Sequence, residues 1–285
     1  MTAPTIPLAH TVAQALQQGR ANGLERFDVQ TLVAHLLQRD RGWLLAHGDA
    51  ALSADQATKL DRWFQQAADG VPLGYLLGEQ PFRGLVLQVG PGVLVPRSDT
   101  EVLVDWALER LQAWQAQAVP SPRVADLGTG SGAIALAVQH ACPAAHVTAT
   151  DLSADALAVA RGNAHRLGLA VQFLQGAWWQ PLAGQRFELL LSNPPYIAGD
   201  DPHLPALRHE PRLALTPEGD GLDSLRQLAA GAPQHLVPGG WLLLEHGFDQ
   251  GQAVRQLLAE HGFGSPATRH DLAGLPRCTG ARWAG

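Results

Sequence analysis

The feature that most constrains the fold is a regular alternation of strand-like and helix-like segments that starts near residue 122. Short apolar runs such as RVADLG and RFELLLS alternate with longer segments, such as SGAIALAVQHAC, whose apolar residues recur at helical spacing. Apolar strands that alternate with helices form a parallel sheet with helices on both faces and right-handed crossovers. An open sheet of this kind binds ligands at the carboxyl ends of its strands. Functional residues are therefore expected at that edge.

The N-terminal part of the chain shows helical spacing without intervening strands. Its apolar positions fall into three runs, at residues 12–16, 29–37 and 60–67. Asp28 precedes the second run, and Ser53 with Gln56 precedes the third; both are typical of helix starts, and the latter pair is a capping box variant. The sequence predicts a small N-terminal helical domain over residues 1–78.

Between these two parts, the segment FRGLVLQVGPGVLVPR has apolar residues that alternate on either side of a GPG turn. Alternation with period two predicts a β-hairpin, with strands at residues 85–89 and 93–95. We therefore expect a β-hairpin linker over residues 79–98 and the α/β domain over residues 99–285.

Charge and cysteine content argue against several classes of protein. The net charge is −6, and the 20 basic residues are scattered along the chain. Proteins that grip nucleic acid through its phosphates usually carry a basic footprint, so no nucleic acid partner is expected. The N-terminus fits neither a signal peptide nor a membrane span, which predicts a cytoplasmic protein without membrane association. Cys142 and Cys278 have no metal-like spacing, so we expect buried, reduced cysteines and no metal site.

The loop VADLGTGSG, after the first strand of the alternating pattern, is expected to hold a cofactor. Gly128, Gly130 and Gly132 permit a tight turn and a close approach of backbone to ligand, because no Cβ intrudes. The spacing of Gly128, Gly130 and Ala133 also satisfies a dinucleotide-binding fingerprint. From the loop alone, S-adenosylmethionine and NAD both remain candidates.

Two carboxylates narrow that choice. Asp151 ends the next strand and can accept both hydrogen bonds of a ribose diol, which both cofactors carry; its alternative role is to cap the next helix, although Ser153 is the better cap. Asp126 discriminates, because it would repel a pyrophosphate but can receive the ammonium of a methionine moiety, directly or through water. Trp178 could pack against adenine, whereas Trp179 is predicted to pack into the protein. The charges favour S-adenosylmethionine.

The strand RFELLLS delivers the motif NPPY to the same edge of the sheet. Its two prolines fix φ and remove two donors, so the loop presents rigid carbonyl acceptors. The Asn193 side-chain oxygen and the Pro194 carbonyl can accept both hydrogens of an NH2 group, while Tyr196 stacks on its plane. An amide nitrogen is a poor nucleophile and reacts only if it is well oriented. Holding both of its N–H groups directs the nitrogen toward the methyl carbon. The motif predicts methyl transfer to a planar amide or base nitrogen.

With these motifs in hand, the chain closely resembles the release factor glutamine N5-methyltransferases, the PrmC/HemK family. The matching segments include PLGYLLGEQPFRG, DLGTGSGAIALA, TDLSADAL, SNPPYI and HEPRLALTPEGDGLDSL. The resemblance implies a class I S-adenosylmethionine-dependent methyltransferase: an α/β, Rossmann-like fold with a seven-stranded, mostly parallel sheet, and a small N-terminal helical domain joined by a β-hairpin linker. It implies that the acceptor is N5 of the glutamine in the GGQ motif of class 1 peptide chain release factors, which the helical domain helps to grip. We expect a monomer.

The resemblance also assigns roles to individual residues. Cofactor contacts are implied for Asp126, Leu127, Gly128, Thr129, Gly130, Asp151, Trp178 and Asn193. Catalysis is implied for Asn193, Pro194 and Tyr196, and binding of the substrate glutamine for Asn193, Pro194, Pro195 and Tyr196.

Two positions depart from the family's pattern. Ser98 stands where the family usually has proline, at the predicted start of a helix, and either Ser98 or Asp99 is expected to be its N-cap. Ala177 stands where an acidic residue often precedes the tryptophan, which predicts the loss of a polar contact near the adenine.

Other functions fit part of the sequence. An adenine-N6 DNA or RNA methyltransferase would use the same NPPY motif, but it needs a basic surface and usually a recognition domain. An NAD-binding oxidoreductase leaves NPPY unexplained. A third alternative is a helical interaction module fused to an inactive core. The intact cofactor and acceptor motifs argue against it, because an inactive core would not need them.

Charged residues near the acceptor loop are given no chemistry. Glu245 and His246 follow an apolar strand and are expected at the floor of the cleft. Glu210 and Arg212 are predicted to form a structural ion pair.

Overall fold

The computed structural model describes residues 8–116 and 121–285. The chain divides into two compact units, with the boundary between Gly78 and Glu79. The smaller unit is helical, and the larger unit contains every β-strand of the described residues. No helix in the described part of the chain is long and apolar enough to cross a membrane.

The smaller unit contains five helices in its described part. They are α1 (Val12–Ala21), α2 (Arg26–Leu37), α3 (Arg41–Ala46), α4 (Ala54–Ala68) and α5 (Leu73–Leu77). Leu32 of α2 packs with Leu60 and Phe64 of α4 in a buried apolar cluster. This is the stripe of helically spaced apolar residues that the sequence predicts to form a core.

The starts of two of these helices test the capping predictions. At α4 the Ser53 hydroxyl accepts from the Gln56 backbone N–H, and the Gln56 side chain accepts from the Ser53 N–H, which confirms the capping box. The prediction for Asp28 is wrong, because α2 begins at Arg26 after Glu25 as N-cap. Asp28 lies in the first turn, where a negative charge also favours the helix dipole, so an acidic residue alone does not fix the starting position.

The larger unit is built on a seven-stranded sheet, which confirms the predicted fold class. Its strands are β3 (Arg123–Leu127), β4 (His146–Asp151), β5 (Val171–Gln175), β6 (Phe187–Ser192), β7 (Leu236–Glu245), β8 (Phe263–His270) and β9 (Pro276–Trp283). Their order across the sheet is β5-β4-β3-β6-β7-β9-β8. The first five strands in this order are parallel, and β9 pairs antiparallel with both β7 and β8.

The larger unit also contains six α-helices in its described part, several of which pack on the two faces of the sheet. They are α6 (Glu101–Ala116), α7 (Ala133–Ala141), α8 (Ala154–Leu167), α9 (Arg212–Leu215), α10 (Asp223–His235) and α11 (Gly251–Glu260). Val124 of β3 packs in one apolar cluster with residues of α6 and α7, whereas its neighbour Ala125 packs in another with residues of α10 and α11. Successive strand residues point to opposite faces, so β3 is buried on both sides.

Both cysteines are buried and free, as predicted. Cys142 ends α7, and Cys278 lies in β9. Burial raises the pKa of the Cys278 thiol well above its usual range, so this side chain acts as a small apolar residue of the core.

The structure contains a β-hairpin, but it is formed one strand earlier in the chain than the sequence predicts. The paired strands are β1 (Glu79–Phe82) and β2 (Leu85–Gln88), and the segment after the GPG sequence forms no strand. The turn consists of Arg83 and Gly84, both with positive φ, the conformation that matches the twist of a two-residue hairpin. Alternating apolar residues misled the prediction, because Val93 and Val95 are buried in an extended segment outside any sheet. The hairpin belongs to the larger unit.

A hydrogen-bond junction fixes the hairpin beside the loop that follows β3. Asn163 of α8 accepts from the Gln88 backbone N–H at 2.7 Å and donates to the Gln88 carbonyl at 2.9 Å. The same side-chain nitrogen donates to the Ser131 carbonyl at 3.0 Å. One buried amide therefore joins three segments that are distant in sequence.

The prediction that Ser98 or Asp99 caps α6 is also wrong. Ser98–Thr100 form one turn of 3-10 helix that leads into α6 at Glu101, and no side chain caps that turn. The Asp99 carboxylate lies 3.3 Å from the Arg277 guanidinium instead. An N-cap side chain must turn back toward the helix, and this ion pair directs Asp99 toward another strand.

Candidate active site

A cavity of about 380 Å³ lies at the carboxyl ends of the parallel strands. The chain passes from β3 to β4 and β5 on one side and then returns to β6 on the other, so the strand order reverses between β3 and β6. Open α/β sheets bind ligands in the crevice at such a switch point. The predicted site residues that line the cavity are Gly128, Thr129, Gly130, Asp151, Trp178, Asn193 and Pro195. Asp126, Leu127, Pro194 and Tyr196 are not part of this lining.

The loop after β3 takes the conformation that its glycines predict. Gly128 and Gly130 have φ values of 75° and 56°, in the left-handed region that favours glycine. The backbone N–H groups of Gly128 and Thr129 both donate to the Thr150 carbonyl at 2.9 Å. The loop is thereby folded against the end of β4, and its backbone faces the cavity.

Asp151 fixes the same loop through its side chain. One carboxylate oxygen accepts from the Gly130 N–H at 2.8 Å, and the other accepts from the Ser153 N–H at 2.9 Å. The alternative role as helix cap is wrong, because the Ser153 hydroxyl caps α8 by accepting from the Ala156 N–H. Asp151 presents a carboxylate, held by two backbone donors, to the cavity.

Asp126 lies behind the loop and is fully buried. Its Oδ2 accepts from the Thr129 hydroxyl at 2.6 Å and from the Ala135 N–H at 3.2 Å. Its Oδ1 is buried without a hydrogen-bond partner among the described residues. Burial raises the pKa of Asp126 to about 7, although the hydrogen bonds from Thr129 and Ala135 oppose that rise. A carboxyl group with an unsatisfied buried oxygen is suited to pair with a cation, either directly or through water.

The two tryptophans after β5 differ in their surroundings. The Trp178 indole lies against Gly128, where a Cβ would approach the ring to 3.4 Å, and it forms part of the cavity wall. Its own φ of 42° is unusual for a residue with a side chain, and such strain often marks a binding site. Trp179 instead stacks on His235 with ring centres 4.8 Å apart and donates to the Gln227 carbonyl. The prediction that Trp179 packs into the protein is confirmed.

On the other side of the cavity, β6 delivers the NPPY loop. The Asn193 Nδ2 donates to the Thr100 Oγ1 at 3.2 Å, which leaves Oδ1 as the acceptor available to a ligand. Pro195 also lines the cavity. The Tyr196 hydroxyl donates to Glu245 at 3.4 Å, and the Tyr196 carbonyl accepts from the Gln250 side chain. The structure thus brings Asn193 and Pro195 to the cavity and directs the Tyr196 side chain behind the loop.

The sequence predicts Glu245 and His246 at the floor of the cleft but assigns them no role; both are buried, and neither lines the cavity. Glu245 is fully buried at the end of β7, and burial raises its pKa to about 7. Hydrogen bonding from the Thr100 hydroxyl and from Tyr196 opposes that rise. Arg277 of β9 pairs with the Asp271 carboxylate at 3.1 Å and with the Asp99 carboxylate at 3.3 Å. The available signal was a carboxylate at the end of an apolar strand, the pattern that identified Asp151.

The predicted ion pair between Glu210 and Arg212 is also wrong. Glu210 is buried, where it binds the Arg97 guanidinium and accepts from the Val95 N–H at 3.0 Å. Arg212 pairs with the exposed Glu218 at 2.8 Å. Sequence proximity suggested the wrong partner, because the extended segment after the hairpin brings Arg97 to Glu210. Arg97 lines the cavity.

No group of three His, Cys, Asp or Glu side chains in the described ranges is arranged to hold a metal ion. His246 is fully buried, and its two ring nitrogens contact the Thr279 hydroxyl and the Gly247 carbonyl. The polar groups lining the cavity are carboxylate, amide, hydroxyl and backbone groups together with the Arg97 guanidinium. They can bind the polar parts of a nucleoside and orient an NH2 group.

Comparisons with known proteins agree with this geometry. The family described as "Methyltransferase small domain" matches residues 105–261, and the one described as "PrmC N-terminal domain" matches residues 9–78. A release factor glutamine methyltransferase of Xylella fastidiosa is 49% identical over 95% of this chain and 98% of its own. Those of Bordetella pertussis and Vibrio cholerae are 51% and 41% identical, over 90% and 96% of this chain and 95% and 96% of their own. A solved methyltransferase from Pyrococcus furiosus shares the fold, with a TM-score of 0.52 and 20% identity, covering 71% of this chain and 90% of its own.

Proposed function

This chain belongs to the release factor glutamine methyltransferase family, and we propose that it methylates N5 of the glutamine in the GGQ motif of class 1 release factors. S-adenosylmethionine is the proposed methyl donor. The proposed partner is the GGQ-containing domain of the release factor, and the place of reaction is the cytoplasm, where release factors work.

The observation that carries this proposal is the position of Asn193. Its amide nitrogen is held by Thr100, so its oxygen remains to accept a hydrogen bond at the cavity wall. We assign the Pro194 carbonyl as the second acceptor, on the loop that the two prolines make rigid. Two acceptors hold both hydrogens of an amide NH2 and aim the nitrogen at the incoming methyl carbon. Asn193 and Pro194 are therefore the proposed catalytic residues, and Pro195 contacts the substrate.

The opposite wall is assigned to the cofactor. Asp151 would accept from the ribose diol, while the backbone of the loop at Gly128 and Gly130 admits the ligand closely. Trp178 would pack against the adenine. The unsatisfied Oδ1 of Asp126 fits the ammonium of the methionine moiety, reached through water because Asp126 does not line the cavity. Leu127 and Thr129 shape the same loop, and Thr129 holds the Asp126 carboxyl.

The cofactor supplies an electrophilic methyl group on a sulfonium. Transfer of that methyl group would leave the positive charge on the amide nitrogen held by Asn193 and Pro194, which would then lose one proton to the Asn193 oxygen, a backbone carbonyl or water. The residues at the acceptor wall orient the nitrogen before transfer and need not remove the proton first. Catalysis on this wall is therefore chiefly a matter of geometry and preorganised acceptors.

A labelled-methyl transfer assay tests the proposal. The purified protein is offered a class 1 release factor, the same factor with the GGQ glutamine replaced by alanine, and duplex DNA. Label that enters only the intact release factor supports glutamine methylation. Label that enters DNA would instead support the adenine methyltransferase alternative, and label that enters neither would overturn both substrates.

A further inference from the structure

We propose that Gln227 of α10 recognises the adenine of the cofactor through its side-chain amide, from the cavity wall beside Trp178. The inference deepens the proposed function and rests on it, because it takes the cavity as the site of S-adenosylmethionine. It adds a residue that selects the nucleobase, at a position to which the family resemblance assigns no role.

Trp179 fixes α10 beside the loop that carries Trp178. The Trp179 indole donates to the Gln227 carbonyl at 3.1 Å and stacks on His235 with ring centres 4.8 Å apart. Between these two contacts lies Gly231, where a Cβ would clash with the same indole. Residues 227, 231 and 235 are four apart and share one side of the helix. This side of α10 therefore packs along Trp179 and holds Gln227 next to residues 177–179.

The Gln227 side chain is available to a ligand. It is exposed, and Gln227 lines the same cavity as Ala177 and Trp178. Within the described ranges, no hydrogen bond involves its side-chain amide, although its backbone carbonyl is engaged by Trp179. Both the donor and the acceptor of the amide can therefore bind a molecule in the cavity.

Neighbouring side chains of the wall are less suited to this role. The Asp223 carboxylate, one turn before Gln227, accepts from Arg226 at 2.7 Å, and the Ser153 hydroxyl caps α8. Ala177 has no polar side-chain group at the position where the family often has an acidic residue near the adenine. Gln227 offers a donor and an acceptor on separate atoms, from the opposite side of the same loop.

The side-chain amide of glutamine matches the edge of an adenine. The 6-amino group of adenine donates hydrogen bonds, and the ring nitrogens that flank it accept them. A glutamine amide can accept from the amino group and donate to a ring nitrogen at the same time. A carboxylate can only accept, so it would satisfy the amino group alone. We therefore expect Gln227 to take over the contact that Ala177 cannot make and to favour a base with an amino group.

Binding calorimetry with two ligands tests the contact. The ligands are S-adenosylhomocysteine and its analogue without the 6-amino group. The proteins are the parent and Gln227→Leu, which removes the amide and keeps an apolar side chain of similar size. We expect Gln227→Leu to bind S-adenosylhomocysteine about tenfold more weakly than the parent. Loss of the amino group should weaken binding about tenfold in the parent but less than about threefold in Gln227→Leu, because both changes disrupt one contact.

Gln252→Leu is the matched control, since it makes the same change at an exposed position of α11 outside the cavity wall. It should bind both ligands as the parent does. Parental affinity of Gln227→Leu for S-adenosylhomocysteine would overturn the inference. So would an equal effect of the amino group in the parent and in Gln227→Leu. Should Gln227→Leu fail to fold, Gln227→Ala takes its place in the same measurements.

The inference and the proposed function fail in different ways. S-adenosylhomocysteine binds without a methyl acceptor, so its affinity reports on Gln227 whether or not a release factor is methylated. If the parent binds this ligand and Gln227→Leu binds it equally well, only the role of Gln227 is overturned. If the affinities change as expected but the parent transfers no label to a release factor, only the choice of substrate is overturned. If the parent does not bind the ligand, the cofactor assignment and the role of Gln227 are overturned together.

Discussion

A carboxylate ends a parallel strand at each side of the cavity, but only one of the two faces the cavity. Asp151 at the end of β4 faces the cavity, and its oxygens are held by two backbone N–H groups. Glu245 at the end of β7 is fully buried and accepts a hydrogen bond from the Tyr196 hydroxyl. The first carboxylate is presented to a ligand, and the second is placed behind the group that is presented.

This difference indicates how each wall is made. The cofactor wall depends on backbone conformation, set by glycines a few residues apart. The acceptor wall depends on a contact between the side chains of Asn193 and Thr100, which come from separate segments of the chain. We therefore expect changes on the first wall to weaken cofactor binding, and changes on the second to slow transfer. The predictions below test this separation.

The largest effect is expected for Asn193→Ala. Removing a preorganised group that acts on the reacting atoms commonly lowers kcat by about 10²–10³-fold. The Kd for S-adenosylmethionine should change by less than about tenfold, or 1.4 kcal/mol. Single-turnover transfer and calorimetric binding measure the two quantities separately. A large loss of binding with little loss of transfer would break the proposed division between the walls.

Asp151→Ala should produce the opposite pattern. Loss of the carboxylate removes the acceptor for the ribose and also releases the Gly130 N–H, so the cofactor Kd is expected to rise about tenfold or more. At saturating cofactor, kcat should fall much less. Asp151→Asn keeps one oxygen and is expected to lie between the parent and the alanine variant. Unchanged affinity by calorimetry would confine Asp151 to holding its own loop.

The pKa of Asp126 predicts a dependence of stability on pH. Because burial raises that pKa to about 7, the folded protein holds a proton between pH 4 and 7 that the unfolded chain has already released. Stability of the parent should therefore fall as pH rises through this window, by up to about 1.4 kcal/mol per pH unit, and level off above pH 7.

Asp126→Asn should remove this part of the slope, whereas Asp105→Asn, on an exposed carboxylate, should not. Urea unfolding at several pH values provides the comparison. Glu245 contributes in the same direction over much of the same window, so part of the slope should persist in Asp126→Asn. If the free energy of unfolding changed with pH equally in the parent and in Asp126→Asn, Asp126 would not retain its proton in the folded protein.

The smallest effect is expected outside both walls. Ser53→Ala removes the capping box of α4 and should destabilise the smaller unit by about 1 kcal/mol. Its position before the Gly78 boundary predicts an unchanged Kd for S-adenosylmethionine. Thermal unfolding and calorimetry measure the two properties, and a weakened Kd would show that the cofactor wall depends on the smaller unit.

The same difference between the walls explains what could be predicted from the sequence. The alternation of strands and helices predicted a parallel sheet with helices on both faces, and the family resemblance gave its seven strands. The spacing of Gly128, Gly130 and Asp151 identified a loop whose contacts are local to two adjacent strands. Each of these patterns involves residues that are close in sequence, so it can be recognised without knowledge of the fold. The capping box at Ser53 was predicted correctly for the same reason.

The errors concern partners that only the fold brings together. Glu210 binds Arg97 and not the predicted Arg212. Asp99 binds Arg277 and does not cap α6. The hydrogen bond from the Tyr196 hydroxyl to Glu245, 49 residues further along the chain, was likewise not predicted. The hairpin was misplaced because burial, not strand pairing, produced the alternation at Val93 and Val95.

The Asn163 junction has a consequence for exchanging segments between relatives. Its side-chain oxygen accepts from the Gln88 N–H and from the Arg166 guanidinium, and its nitrogen donates to the Gln88 and Ser131 carbonyls. If only the hairpin were moved into a relative, it would have to pair with that relative's residue at position 163, whose contacts also set the loop at position 131. In a chimera of two relatives, the hairpin, the middle of α8 and the glycine loop should therefore be exchanged together or not at all.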